Sequence, residues 1–153
     1  MSKRTGKTII GLTGNIATGK SVVRRMMEHL GAYTIDADSL AHRVLSKGAP
    51  GYQPTLDRFG KWVLDKDGNI DRAKLGKLVF SDADALAQLE EIVHPYVLQA
   101  VDLLIRRANQ RVIVVEAIKL IESGMREQCD SIWVTDAPQE VQIERLMRKR
   151  NLT

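Results

Sequence analysis

The octapeptide GNIATGKS, residues 14–21, follows directly on the apolar run TIIGLT. It fits G-x(4)-G-K-[ST] in full, and it demands a particular setting: a buried strand that runs into the first glycine and a helix that opens at the lysine. Glycines allow backbone angles that other residues resist, so successive amides can turn inward toward an anion. The following helix presents unpaired N–H groups and the positive end of its dipole to the same point. Residues 8–13 are β-branched and apolar, as a buried strand requires, and KSVVRRMMEHLG supplies the helix. Val22, Val23, Met26, Met27 and Leu30 are expected on one core-directed helical face, with Gly31 as the stop. The motif reads as a seat for a nucleoside triphosphate, lined by Gly14, Asn15, Ile16, Ala17, Thr18, Gly19, Lys20, Ser21 and Val22. Lys20 reaches the β- and γ-phosphates, and Ser21 ligates Mg2+.

The rest of the chain supplies the sheet that such a loop needs. AYTID is a second short strand ending in an acid, and DADSLAHRVLSKG restarts a helix. From about residue 49 to 108 the chain reads as mostly helical. GYQPTLDRFG holds a short helix, DKDGNI a loop, and DRAKLGKLVF and DADALAQLEEIV each open with Asp at an N-cap position. Pro95 is expected to interrupt before YVLQAVDLLIRRAN continues as an amphipathic helix. RVIVVEA and SIWVTDAP are further strands, and QEVQIERLMRKR is a last helix. Continuous apolar strands alternating with helices imply an α/β fold, a three-layer α/β/α arrangement around a parallel sheet. The stretch 49–108 becomes a helical insertion above the sheet's carboxyl edge, where ligands of α/β proteins bind.

Composition narrows the class. With 153 residues and 44% hydrophobic content, the chain is expected to form one compact domain. A net charge of +4 suits anionic small molecules and is too diffuse to argue for nucleic acid. The single cysteine, Cys129, excludes an internal disulfide and has no partner at metal-binding spacing, which fits a reducing compartment. The apolar runs fall far short of the ~20 residues of a membrane helix, and MSKRTGKTII lacks the core of a signal peptide. A cytoplasmic protein without membrane or nucleic-acid partners is the expectation. Trp62 and Trp133, like Met26 and Met27, are expected to pack in the core or the insertion.

A phosphate loop says triphosphate and leaves the reaction open. Asp36 and Asp38 lie in IDADSLAH, at the end of the second strand and on the loop's side of the sheet. An acid there can accept a proton from a hydroxyl nucleophile or hold Mg2+ through water, and either one can instead cap the next helix. Other small-molecule kinases, such as nucleoside monophosphate kinases, and a non-catalytic nucleotide-binding module share the loop.

Four blocks, IIGLTGNIATGKSVV, TIDADSLAHRVL, LEEIVHPYV and VVEAIKLIESG, occur in the order and at the separations seen in dephospho-CoA kinases. The chain resembles that family from Lys7 to its end. The resemblance implies a P-loop kinase that uses ATP and Mg2+ to phosphorylate the 3′-hydroxyl of dephospho-coenzyme A, with the helical insertion as substrate domain. It implies Asp38 as general base, Asp36 shaping the site, and His42 and His94 as weaker candidates for substrate contact. Glu116 stands where the family often has Asp, and can hold a metal-bound water. Lys149 stands where the family has the arginine that begins a mobile lid. Arg148 or Arg150 is expected to stabilise the transferring phosphoryl group instead, since arginine grips it bidentately. Family members continue for several dozen residues with the rest of the lid, a last strand and a last helix. The domain is therefore expected to be C-terminally incomplete, a monomer open to self-association through an unpaired sheet edge.

Overall fold

A computed structural model describes residues 6–15, 17–120 and 122–150. Strands β1 (Thr8–Gly14), β2 (Tyr33–Asp36), β3 (Val112–Glu116) and β4 (Ser131–Thr135) form one parallel sheet in the order β2-β3-β1-β4. The order follows from burial. Ile9, Ile10 and Leu12 of β1 and Ile113, Val114 and Val115 of β3 are all buried, which is what central parallel strands need. On β4, Trp133 (48% exposed) and Val134 (63% exposed) remain open to solvent, as an edge position allows. Trp133 and Trp62 (53% exposed) thus lie at the surface rather than in a core. At Gly11 a Cβ would come within 2.9 Å of Cys129 Sγ and 3.0 Å of Leu120, so β1 uses glycine where the following loop presses on it.

Among the described residues, six α-helices join the strands: α1 (Lys20–His29), α2 (Ala37–Val44), α3 (Tyr52–Phe59), α4 (Arg72–Ser81), α5 (Ala83–Arg107) and α6 (Gln139–Lys149). The chain forms two compact units, one of Met1–Ala37 with Leu104–Thr153 and one of Asp38–Leu103. In the first, Val23 and Met27 of α1 pack with Ile10, Leu12 and Val114. The five-residue stripe expected on α1 is therefore too wide. Val22, Met26 and Leu30 are 51%, 61% and 88% exposed, because one helix can turn only part of its circumference to a sheet.

The second unit has its own core of Leu56, Val63, Leu75, Val79 and Ala85, with Tyr52, Phe59 and Leu89 packed around it. Asp71 caps α4 by accepting from the amides of Ala73 (2.9 Å) and Lys74 (3.2 Å). Asp82 accepts from Asp84 and Ala85 at the start of α5 in the same way. Pro95 does not interrupt: α5 runs unbroken through it. Pro95 and Glu91, whose carbonyl loses its helical donor, are both exposed, so water can take that place.

Candidate active site

A parallel sheet brings all its carboxyl ends to one edge, and Gly14, Asp36, Glu116 and Thr135 end the four strands there. Register tightens the grouping: Gly14 pairs with Thr135, and Asp36 with Glu116. Beyond Gly14 the chain turns through Ala17 (φ 61°) and Gly19 (φ 92°) into α1. Ala17 is the non-glycine residue with positive φ among those described, a conformation that costs an L-residue roughly 1–2 kcal/mol. The helix opens without a side-chain cap and without an acid in its first turn. Its first amides are thus left to a ligand at the positive end of the dipole. Lys20 and Ser21 stand in that first turn, and Val22 follows on the exposed side. Ile16 lies outside the described residues.

Two side chains far away in sequence brace the loop. The buried Thr18 hydroxyl lies 2.7 Å from the Asn15 carbonyl and 2.6 Å from Thr135 Oγ1. Either hydroxyl can donate in the Thr18–Thr135 bond, which ties the loop to the end of β4. Gly14 makes room for this contact, since a Cβ there would sit 2.1 Å from Thr135 Oγ1. Arg145, on α6, donates from Nη1 to the Ala17 carbonyl at 3.1 Å. Sequence reading gave neither Arg145 nor Thr135 a role. Only the strand order, which sets β4 beside β1, could have pointed to Thr135.

At the neighbouring strand ends the acids surround an arginine. Arg24, one turn beyond Lys20 on α1, places Nη1 3.2 Å from Glu116 Oε2 and 3.9 Å from Asp36 Oδ2. Its Nε lies 3.9 Å from Glu28 Oε1, which also accepts from the Thr34 hydroxyl. Glu116 is only 7% exposed. A carboxylate this buried needs a counter-charge, and Arg24 provides it.

The other expected residues stand on or at the ends of helices. Asp38 stands in the first turn of α2, with His42 in its last turn and exposed. His94 lies partly buried in α5. All three belong to the Asp38–Leu103 unit. Arg148 is paired with Glu144 at 2.5 Å on the exposed side of α6, and Arg150 follows as the helix's last cap. Among the described residues, no group of three or more His, Cys, Asp or Glu is placed to hold a metal ion. No described helix is long and apolar enough to cross a membrane.

The chain is similar to known proteins of one family. The family described as dephospho-CoA kinase matches residues 8–153. The dephospho-CoA kinase of Carboxydothermus hydrogenoformans is 44% identical over 148 residues, covering 95% of this chain and 72% of that protein. That of Aquifex aeolicus is 42% identical over 141 residues, covering 92% and 72%. Among solved structures, a dephospho-CoA kinase from Campylobacter jejuni superposes with a TM-score of 0.64 at 30% identity, over 96% of this chain and 75% of its own. A crystal structure from Thermus thermophilus reaches a TM-score of 0.83 at 31% identity, over 96% and 74%.

Proposed function

The chain belongs to the dephospho-CoA kinase family, and on that premise we infer that it transfers the γ-phosphoryl group of ATP to the 3′-hydroxyl of dephospho-coenzyme A. The observation that carries the reading is the strand–loop–helix seat at residues 14–21, with its uncapped helix start and its backbone already turned to positive φ. Phosphoryl transfer proceeds through a loose transition state, so the protein gains most from alignment and charge neutralisation. The loop amides and the dipole of α1 hold the phosphates, and Lys20 neutralises the β- and γ-oxygens. Arg145, tied to the Ala17 carbonyl, adds a positive charge beside the loop. Arg148 and Arg150, further along α6, are proposed to close over the transferring group.

Asp38 is proposed as the base that accepts the hydroxyl proton late in the step, with Asp36 shaping the site next to it. The Asp38–Leu103 unit, with His42 and His94, is proposed to take the substrate. Magnesium bound with ATP would supply charge neutralisation at the phosphates, and Ser21 would hold it. Ser21 fits that ion: it follows Lys20 in a helix turn that carries no acid of its own. Glu116 fits less well, because Arg24 already engages its carboxylate. The mild positive charge and the absence of a membrane-crossing helix among the described residues suit a small-molecule enzyme of the cytoplasm.

The test is ADP release from ATP and Mg2+ with and without dephospho-coenzyme A, beside a panel of nucleoside monophosphates. Turnover is expected with dephospho-coenzyme A alone, and lost in Lys20→Ala and Asp38→Asn. Equal turnover with a nucleoside monophosphate would refute the substrate assignment. A near-normal rate in Asp38→Asn would refute the base.

A further inference from the structure

We infer that Lys119, on the loop leaving β3, holds the diphosphate of the acceptor, so that this site prefers a phosphorylated acceptor to a bare nucleoside. The loop around it is fastened to the end of β1. Directly after Glu116, the Ala117 amide donates to the Leu12 carbonyl at 3.1 Å. The Ile118 carbonyl accepts from the Thr13 hydroxyl at 2.9 Å, and Thr13 is itself buried. Leu120 is fully buried and presses on Gly11, where a Cβ would meet its methyls at 3.0 Å and 3.1 Å. The Lys119 carbonyl accepts from the Ser123 amide at 3.0 Å. Lys119 thus stands, with its side chain exposed, between two residues tied to the strand that opens the phosphate loop.

The flank on which it stands assigns its ligand. The order β2-β3-β1-β4 sets β3 and β4 on opposite sides of β1. On the β4 side Thr135 meets Thr18, and Arg145 on α6 meets the Ala17 carbonyl. Charge for the triphosphate comes from that side and from Lys20. The β3 side ends in Glu116 with Asp36 beside it. Carboxylates there suit a hydroxyl and repel a phosphate. Dephospho-coenzyme A brings both groups, the hydroxyl to be phosphorylated and a diphosphate on the same ribose. An acceptor seated on this flank needs a cation for its diphosphate, and Lys119 supplies one. An ammonium has several donors on a flexible stem, so a contact within the protein leaves it able to take a phosphate oxygen as well. This role rests on the kinase reading, from which the acceptor's diphosphate is taken.

Calorimetric titration of the protein, its phosphate loop filled by Mg2+ and a non-hydrolysable ATP analogue, measures acceptor binding. The probes are dephospho-coenzyme A and adenosine, the second sharing base and ribose but carrying no phosphate. Lys119→Met keeps the stem and removes the charge. It is expected to weaken dephospho-coenzyme A about tenfold and to leave adenosine within about twofold of wild type. Lys119→Arg is expected to keep most of the affinity. In steady state the KM for dephospho-coenzyme A should rise by a similar factor, with the KM for ATP within about twofold of wild type. Added KCl should weaken the wild type more than Lys119→Met, because the contact is between charges. Lys119→Gln repeats these measurements if Lys119→Met does not fold. A rise in the KM for ATP as large as that for the acceptor would overturn the assignment, since the cation would then serve the triphosphate. A wild type that neither binds nor phosphorylates dephospho-coenzyme A refutes the kinase reading and this role with it. Acceptor binding and turnover that Lys119→Met leaves unchanged refute the role alone.

Discussion

Thr135→Val tests whether the phosphate loop is held in shape by the end of β4. Valine is nearly the same size as threonine and keeps the β-branch that an edge strand favours, so the change removes a hydroxyl and little else. The lost bond is the one between the Thr135 and Thr18 hydroxyls at 2.6 Å. The second contact of Thr135, to the Thr13 carbonyl at 3.4 Å, is too long to count for much. One buried hydrogen bond is worth about 1 kcal/mol net, and up to about 3 kcal/mol if an acceptor is left unsatisfied. Thr18 is buried, so about 1–2 kcal/mol is expected. If this energy holds the loop ready for phosphate, its loss reappears at binding as a 5- to 30-fold rise in KM for ATP, by about the usual conversion. The rate constant kcat should change less than about threefold, since the alignment at Lys20 is recovered once ATP is bound. Steady-state kinetics with ATP varied at saturating dephospho-coenzyme A measures both, and Thr135→Ser should recover most of the loss. A Thr135→Val enzyme whose melting temperature falls but whose KM stays within twofold of wild type would refute the reasoning. The hydroxyl pair would then stabilise the fold without preparing the loop.

Further outcomes follow from the same geometry. Ala17→Val sets a β-branched residue at φ 61° and should lower the melting temperature by several degrees, whereas Ala17→Gly should not lower it; differential scanning calorimetry separates the two. Arg145→Ala removes the donor to the Ala17 carbonyl and should raise the KM for ATP about fivefold, a cost of about 1 kcal/mol, with partial recovery in Arg145→Lys. Ile113→Ala, at a fully buried position of β3, should cost about 2–5 kcal/mol in urea unfolding, and Ile113→Val about 1 kcal/mol.

What the sequence made legible and what it hid divide along one line. Spacing within a short segment was readable, because a G-x(4)-G-K-S loop between a β-branched strand and a helix has few alternatives. The N-caps at Asp71 and Asp82 were readable for the same reason: cap and capped amides lie within three residues. The stripe on α1 was read in part. Periodicity gives the apolar arc, and it does not say that Val23 and Met27 meet the sheet while Val22, Met26 and Leu30 do not.

The braces of the site were hidden because they follow strand order in space, which the order along the chain does not fix. Thr135 reaches Thr18 because β4 lies beside β1, and Glu116 stands beside Asp36 because β3 lies between β2 and β1. The same adjacency changes what Glu116 can do. Taken alone, an acid at the end of a strand near a phosphate loop is a natural partner for magnesium. With Asp36 on the next strand and Arg24 descending from α1, it is half of a compensated pair. The sequence puts Arg24 one turn beyond Lys20, and only the fold brings it within 3.2 Å of Glu116.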